Sequence, residues 1–143
     1  MRDIDKAAEL LEKENLTLAI VKEGKVIFSS RDKGIKPLYT ALKERKEDLK
    51  GSSIADRVTG KAAAMLCSYA EIKELKTELI SANAINVLED TDIIYEYCEV
   101  TPYIKNRDLT GMCPVETLSL KANNIEELII EIENFLEGIK KAC

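Results

Sequence analysis

The sequence predicts a single α/β domain. Three observations support this class: β-rich runs alternate with amphipathic helical segments, two such runs near the amino end form a hairpin pattern, and a strand–helix–strand order follows within residues 75–98. The last of these favours parallel pairing through a right-handed crossover. The 143 residues suffice for one core, and no repeat, low-complexity segment or linker divides them, so we expect one domain over residues 1–143.

The amino-terminal third contains two helices and a hairpin. Residues 3–15 place apolar side chains on one face and predict an amphipathic helix. Residues 16–22 and 25–30 are β-rich runs joined by a tight turn at Gly24, which predicts a β-hairpin. Pro37 is suited to the first turn of the next helix, where its missing N–H costs nothing.

The next segment predicts a helix over residues 56–69 with Asp56 as its N-cap. A stripe of small residues indicates that this helix lies close to the sheet. Gly60 inside a helix costs roughly 1 kcal/mol relative to alanine, so it either permits close approach or marks the true helix start. In the second case Lys61 lies beside free backbone N–H groups that can bind an anion; a lysine extended along a packed helix is the alternative.

Four shorter elements follow. Residues 75–80 and 93–98 predict strands, residues 81–89 predict a helix between them, and residues 114–120 predict a short helix or turn.

The last helix has the clearest pattern in the chain. Asn124 and Glu127 form a capping pair ahead of it. Its apolar stripe consists of Ile125, Leu128, Ile129, Ile132, Phe135, Leu136 and Ile139. We expect this stripe to cover the sheet; a seam between the two chains of a homodimer is the alternative.

Composition excludes several classes of function. The chain has no histidine, which removes the usual general base near neutral pH, the Ser–His and Cys–His dyads and imidazole metal ligands. Its net charge is −5 and its basic residues are interspersed with acidic ones, so we do not expect nucleic acid as a partner.

The sequence also indicates where the protein resides. No apolar run approaches the ~20 residues needed to span a membrane, and the amino end lacks the apolar segment of a secretory signal. We therefore expect no membrane association and a cytoplasmic location. In that compartment the four widely spaced cysteines are expected to be free thiols.

A polar loop over residues 106–116 concentrates the side-chain chemistry of the chain. It runs into a helix start at which Pro114 fits the first helical position and Cys113 the N-cap. Loops of this kind on a rigid scaffold often carry binding groups. The expected ligand-binding residues are Lys61, Asn106, Arg107, Asp108, Thr110, Gly111, Cys113 and Glu116.

The polar cluster in this loop has three interpretations. Arg107 and Asp108 form a local ion pair that shapes the loop, or they bind a small polar ligand together with Lys105 or Lys61, or carboxylates of the loop hold a metal ion. Asp108 and Glu116 are too few carboxylates for a convincing cage, so we expect no metal site.

Cys113 is the candidate catalytic residue. A thiol at a helix N-terminus feels the positive end of the helix dipole, which favours the thiolate. Because no histidine can act as its base, a small half-buried residue without chemistry is the alternative.

Two motifs resemble those of a family of small prokaryotic proteins of unknown function. The first is Asp-Arg-Val-Thr-Gly-Lys-Ala-Ala-Ala at residues 56–64, and the second runs from Pro-Tyr-Ile-Lys-Asn-Arg-Asp at 102–108 through Cys-Pro-Val-Glu at 113–116. The resemblance implies a cytidine-deaminase-like fold, a three-layer α-β-α arrangement with a mixed sheet and helices on both faces.

Deaminases of that superfamily hold zinc through motifs at two helix starts. The corresponding positions here, residues 61–63 and 81–84, contain no histidine, cysteine or glutamate. The resemblance therefore implies the fold and argues against zinc-dependent deamination, and we expect no cofactor.

These observations favour a non-catalytic domain that binds a small anionic or nucleotide-like ligand. One alternative is an enzyme that uses Cys113 as nucleophile or redox thiol. Another is a protein-interaction or scaffold domain that acts through its C-terminal helix.

Overall fold

The computed structural model describes residues 1–106, 109 and 111–142, with residues 139–142 described by their backbone alone. The helices are α1 (Asp3–Lys13), α2 (Lys36–Leu49), α3 (Lys61–Ala70), α4 (Ala82–Glu89), α5 (Pro114–Lys121) and α6 (Ile125–Ala142). The strands are β1 (Leu18–Lys22), β2 (Lys25–Ser30), β3 (Ser53–Thr59), β4 (Glu74–Ser81) and β5 (Ile94–Thr101). The first helix, the hairpin and the helix opened by Pro37 lie where the sequence predicted them.

The five strands form one mixed sheet in the order β2-β1-β3-β4-β5. β1 pairs antiparallel with both β2 and β3, whereas β3, β4 and β5 run parallel to one another. The parallel pairing of β4 and β5 across α4 confirms the prediction from the strand–helix–strand order. Because α3 follows β3 and α4 follows β4, both helices start at the carboxyl-terminal edge of the sheet.

Alternate residues of the strands pack on opposite faces of the sheet. In β1, Ala19 and Val21 share a small apolar cluster with α1, whereas Leu18 and Ile20 belong to a larger cluster formed with the other helices. The sheet is thus covered by α1 on one face and by α2–α6 on the other, and the predicted α/β class with helices on both faces is confirmed.

The central helix of the larger layer is α3. Ala62, Ala63, Ala64 and Cys67 are all buried, and α3 contacts α2, α4, α5, α6 and β3. Small side chains let these elements approach the α3 backbone from several sides at once. The position close to the sheet that the small residues predicted is confirmed.

The predicted helix over residues 56–69 is wrong in its first part. Ser53–Thr59 forms β3 in the middle of the sheet, and α3 begins at Lys61 directly after Gly60. The alternative in which Gly60 marks the helix start is therefore confirmed. A strand covered on both faces lacks the alternation of apolar and polar residues by which strands are recognised, so β3 escaped detection.

Arg57 fastens α1 to the sheet. Its Nε donates to the Leu16 carbonyl at 2.9 Å and one terminal nitrogen donates to the Leu11 carbonyl at 2.8 Å. The other terminal nitrogen pairs with the carboxylates of Glu12 and Glu78. The Leu11 carbonyl in the last turn of α1 also accepts the Leu16 N–H at 2.9 Å, so the guanidinium adds a second donor at a helix end that lacks intrahelical partners. Arg57 is thus a structural residue.

The last helix packs mainly on α3 and α5. Leu128 and Ile132 of its apolar stripe are fully buried in the large cluster. The capping pair is present, with the Glu127 N–H donating to Oδ1 of Asn124 at 2.9 Å. The expectation that the stripe covers the sheet needs correction, because α3 lies beneath α6 in this layer. No helix in the described part of the chain is both long and apolar enough to cross a membrane.

Asp56 lies within β3, where the residue is half-buried and its carboxyl group is largely withdrawn from solvent. Oδ1 accepts the Arg57 N–H at 2.8 Å, and the Thr59 hydroxyl lies 3.5 Å from Oδ2. Burial raises the pKa of Asp56 to about 7 against these hydrogen bonds, which favour the charged form. The folded chain therefore disfavours the ionised carboxylate relative to the unfolded chain.

We expect Asp56→Asn to become increasingly more stable than the wild type as pH rises from 4 to 8. In the wild type, the pKa of Asp56 is higher in the folded chain than in the unfolded chain. The protonated carboxyl therefore contributes its full stability below the unfolded-state pKa, and the wild type loses this contribution as pH rises through about 7. The loss is at most about 4 kcal/mol, since the residue keeps some solvent exposure.

Urea unfolding of both proteins at pH 4 and pH 8 measures this difference. Asp48→Asn in α2 is the control, because the Asp48 side chain is 49% exposed and its carboxylate pairs with Arg45. A difference between Asp56→Asn and the wild type that does not change with pH would contradict the prediction.

Candidate functional site

Three helix starts meet near the carboxyl-terminal edge of the sheet. α3 and α4 begin directly after the neighbouring parallel strands β3 and β4, and α5 packs against α3. Helix starts expose N–H groups and the positive end of the helix dipole, so this place attracts negative charge. In open α/β sheets, ligands bind at this edge.

The carboxylate of Glu116 occupies the junction of these helix starts. Glu116 is only 2% exposed. Its Oε1 accepts the Lys61 N–H at 2.8 Å, and its Oε2 accepts the Ile104 N–H at 2.6 Å. The Ser81 hydroxyl lies 3.4 Å from Oε1 and also accepts the Ala84 N–H as the N-cap of α4. One buried carboxylate thus joins α3, α4, α5 and the chain before the polar loop.

Gly60 makes room for this carboxylate. A Cβ at position 60 would lie 3.0 Å from Cγ1 of Ile104 and 3.2 and 3.3 Å from the two carboxylate oxygens of Glu116. The backbone of Gly60 is extended, with φ −94° and ψ −176°, so any residue could adopt it. The glycine is therefore explained by close approach of neighbouring atoms.

The predicted anion position at Lys61 is filled by the protein itself. The Lys61 N–H already bonds to Glu116, while the lysine side chain is half-buried. Glu116 was expected among the ligand-binding residues, and the structure places it beneath the loop as a buried support. Its part in binding any ligand stays a prediction.

The polar loop closes on itself as a short hairpin. The Asn106 N–H donates to the Gly111 carbonyl at 2.9 Å, and the Cys113 N–H donates to the Ile104 carbonyl at 2.7 Å. Leu109 at the tip has a positive φ of 59° and is 72% exposed. The hairpin is therefore fixed at its base and projects an apolar side chain at its tip.

Three of the predicted ligand-binding residues, Arg107, Asp108 and Thr110, lie outside the described residues. The sequence did not predict the two groups that support the base of the hairpin, Ser81 and the Ile104 N–H. Ser81 could have been noticed, because a serine directly before a helix is a typical N-cap. The Ile104 N–H could not, because a backbone group has no signal in the pattern of side chains.

Cys113 is the N-cap of α5, as predicted, and its side chain makes no capping hydrogen bond. It is a half-buried free thiol, whereas Cys98 is exposed and Cys67 is buried. Burial also raises the pKa of Cys67 above the usual range of a thiol. Among the described residues, no three side chains of histidine, cysteine, aspartate or glutamate gather to hold a metal ion.

Two open clefts lie between α5 and α6. One has a volume of about 410 Å³ and the other about 560 Å³. The larger is lined by Met112, Pro114, Thr117, Leu118, Glu131, Asn134 and Phe135, so it adjoins the hairpin. The smaller extends to Ile130, a residue of α6 that is 58% exposed.

Glu116→Ala should lower the free energy of unfolding by about 3 kcal/mol or more, because two N–H groups lose bonds to a charged acceptor worth about 1.5–3 kcal/mol each. Glu116→Gln should lose about half as much, because its amide oxygen can still accept one N–H. Urea denaturation measures both. The exposed Glu126→Ala in α6 is the control and should change stability by less than about 0.5 kcal/mol. Equal values for Glu116→Ala and the control would refute this assignment.

The rates at which the cysteines react with an alkylating reagent show whether Cys113 is a structural residue or an activated, catalytic thiol. In a chain carrying Cys143→Ser, we expect iodoacetamide to label Cys98 first, Cys113 second and Cys67 last, because their exposure decreases in that order. Mass spectrometry of the tryptic peptides gives each rate. If Cys113 reacts faster than Cys98 below pH 7, the thiol is activated and the catalytic alternative gains support.

Comparison with known proteins agrees with the resemblance to a family of unknown function. A family model described as a domain of unknown function (DUF1893) matches residues 6–136. The crystal structure of a DUF1893 family protein from Thermotoga maritima is similar, with 30% sequence identity and a TM-score of 0.84 over 92% of this chain and 88% of that chain. No curated protein matches. This chain therefore belongs to the DUF1893 family, whose function is unknown.

Proposed function

We propose that this domain is a non-catalytic module that binds a small anionic ligand on the hairpin of residues 104–113. The observation that carries the proposal is the buried Glu116 carboxylate. It holds the base of the hairpin at Ile104 against the start of α3, while the tip extends toward solvent. A loop with a fixed base presents binding groups without a large ordering cost on binding.

We infer that the fold is cytidine-deaminase-like. In support, α3 and α4 start side by side after parallel strands, and these are the two helix starts to which the resemblance assigns the zinc motifs. The residues at both starts do not fit zinc, because positions 61–63 and 81–84 offer no ligand side chain. The Glu116 carboxylate, hydrogen-bonded to Lys61 and adjacent to Ser81, fills the junction. These observations favour binding without deamination.

The residues around the hairpin favour an anionic, nucleotide-like ligand. Lys61 is half-buried beside the hairpin base and Lys105 is exposed on the hairpin, so two cations are available there. Arg107 adds a third charge to the same loop, and guanidinium groups are suited to phosphate and carboxylate. Leu109 offers an exposed apolar contact next to them. Such a combination matches a ligand that has both a charged and an apolar part.

A protein-interaction role is the second candidate. It is favoured by the open clefts between α5 and α6 and by the exposed Ile130 beside them. It is weakened by the apolar stripe of α6, whose central residues Leu128 and Ile132 already belong to the core of a single chain.

A thermal-shift screen tests the small-molecule proposal. Nucleosides, nucleotides, sugar phosphates and small carboxylates would each be added to the wild type, to Arg107→Ala and to Arg45→Ala. A ligand at a hundred times its Kd adds about 2.7 kcal/mol of stability, which raises the Tm by several degrees. We expect a hit that is lost in Arg107→Ala and retained in Arg45→Ala, whose arginine lies on the exposed face of α2.

Two results would contradict the proposal. A screen without any hit would remove the small-molecule role and favour the interaction role. A hit that Arg107→Ala retains in full would show that the ligand binds away from the hairpin.

A further inference from the structure

β5 is an edge of the sheet that lacks lysine, proline and a bulge. It lies last in the strand order, and Ile94, Tyr97 and Val100 on it are 59%, 43% and 51% exposed. Natural edge strands are usually protected by charged side chains, above all lysine, by proline or by a bulge. β2, the other edge, has a shift of register against β1 and begins with Lys25. β5 contains no lysine or proline and pairs with β4 at a constant register.

The backbone of β5 shows which of its groups face the open edge. The Ile94 N–H donates to the Lys73 carbonyl at 3.1 Å, on the β4 side. Because successive residues of a strand direct their N–H and C=O groups to opposite sides, Tyr95 and Tyr97 direct theirs away from β4. These groups are available to a further strand.

We propose that two copies of this chain pair antiparallel through β5, about a two-fold axis at Tyr97. In this register the two Tyr97 residues form a hydrogen-bonded pair that uses their outward groups. Ile94 lies opposite Val100 of the second copy, and the reverse pair follows from the symmetry. The exposed apolar residues of β5 are thus matched with one another, and the two sheets join into one.

The charges of β5 agree with this register. Glu96 and Glu99 are the charged residues of the strand. The two-fold at Tyr97 places Glu96 opposite Cys98 and Glu99 opposite Tyr95, so no glutamates face each other directly, and Lys76 lies 3.8 Å from Glu96. Like charges directly opposite would be unfavourable. A single pair of strands buries less than the ~1,600 Å² of a standard interface, so the dimer is expected to be weak and to tighten with salt.

Sedimentation equilibrium over a wide range of protein concentration tests the pairing. We expect a monomer–dimer equilibrium that Val100→Glu weakens roughly tenfold or more, because each of two symmetric pairs gains a buried charge. The matched control is Val26→Glu on β2, since Val26 is 45% exposed and lies at the other edge. This control should leave the dimer unchanged.

A charge swap tests the register itself. Mixing Ile94→Lys chains with Val100→Glu chains should restore association, because the two-fold at Tyr97 places the introduced lysine opposite the introduced glutamate. A chain that is monomeric at every concentration would overturn the proposal. It would equally fail if a dimer formed that Val100→Glu does not weaken, or if the mixture associated no better than either variant alone.

Discussion

The carboxylate of Glu116 is the interaction on which the carboxyl-terminal edge of the sheet depends. It connects the starts of α3 and α4 with α5 and with the chain at Ile104, four parts that are far apart in sequence. A buried carboxylate is costly unless its oxygens are satisfied. Here the Lys61 N–H at the start of α3 and the Ile104 N–H before the hairpin provide the donors, and the helix dipole favours the negative charge. The same carboxylate provides hydrogen-bond acceptors for the N–H groups of Lys61 and Ile104.

This arrangement explains the composition of α3 and its surroundings. Gly60 lets the carboxylate lie close to the Lys61 N–H, since a Cβ there would crowd both carboxylate oxygens, and the mostly alanine side chains that α3 buries let its neighbours approach closely. An anion site built into the fold is thereby filled by the chain itself. The proposed ligand site consequently lies further out, on the hairpin whose base Glu116 holds.

The two edges of the sheet complete this picture. β2 forms one edge, while α1 covers β1 and β3 on one face, where Arg57 of β3 ties the helix to the sheet by donating to backbone carbonyls. β5 forms the other edge and, within the described residues, pairs with β4 alone, so its outward backbone groups face away from the sheet. The domain thus has a rigid centre, with its proposed binding functions at the hairpin and at one edge.

Local patterns in the sequence determined most of the helices, the hairpin and the parallel pair, because amphipathic spacing and capping residues act between near neighbours. Sequence also indicated the loop and the start of α3 at Gly60. Only the tertiary structure decided that Ser53–Thr59 is a central strand and that Glu116 is buried at the start of α3. Both depend on contacts between distant segments. A strand covered on two faces, such as β3, loses the alternation of apolar and polar residues. A glutamate in the first turn of a helix, such as Glu116, looks the same in the sequence whether it faces water or another helix.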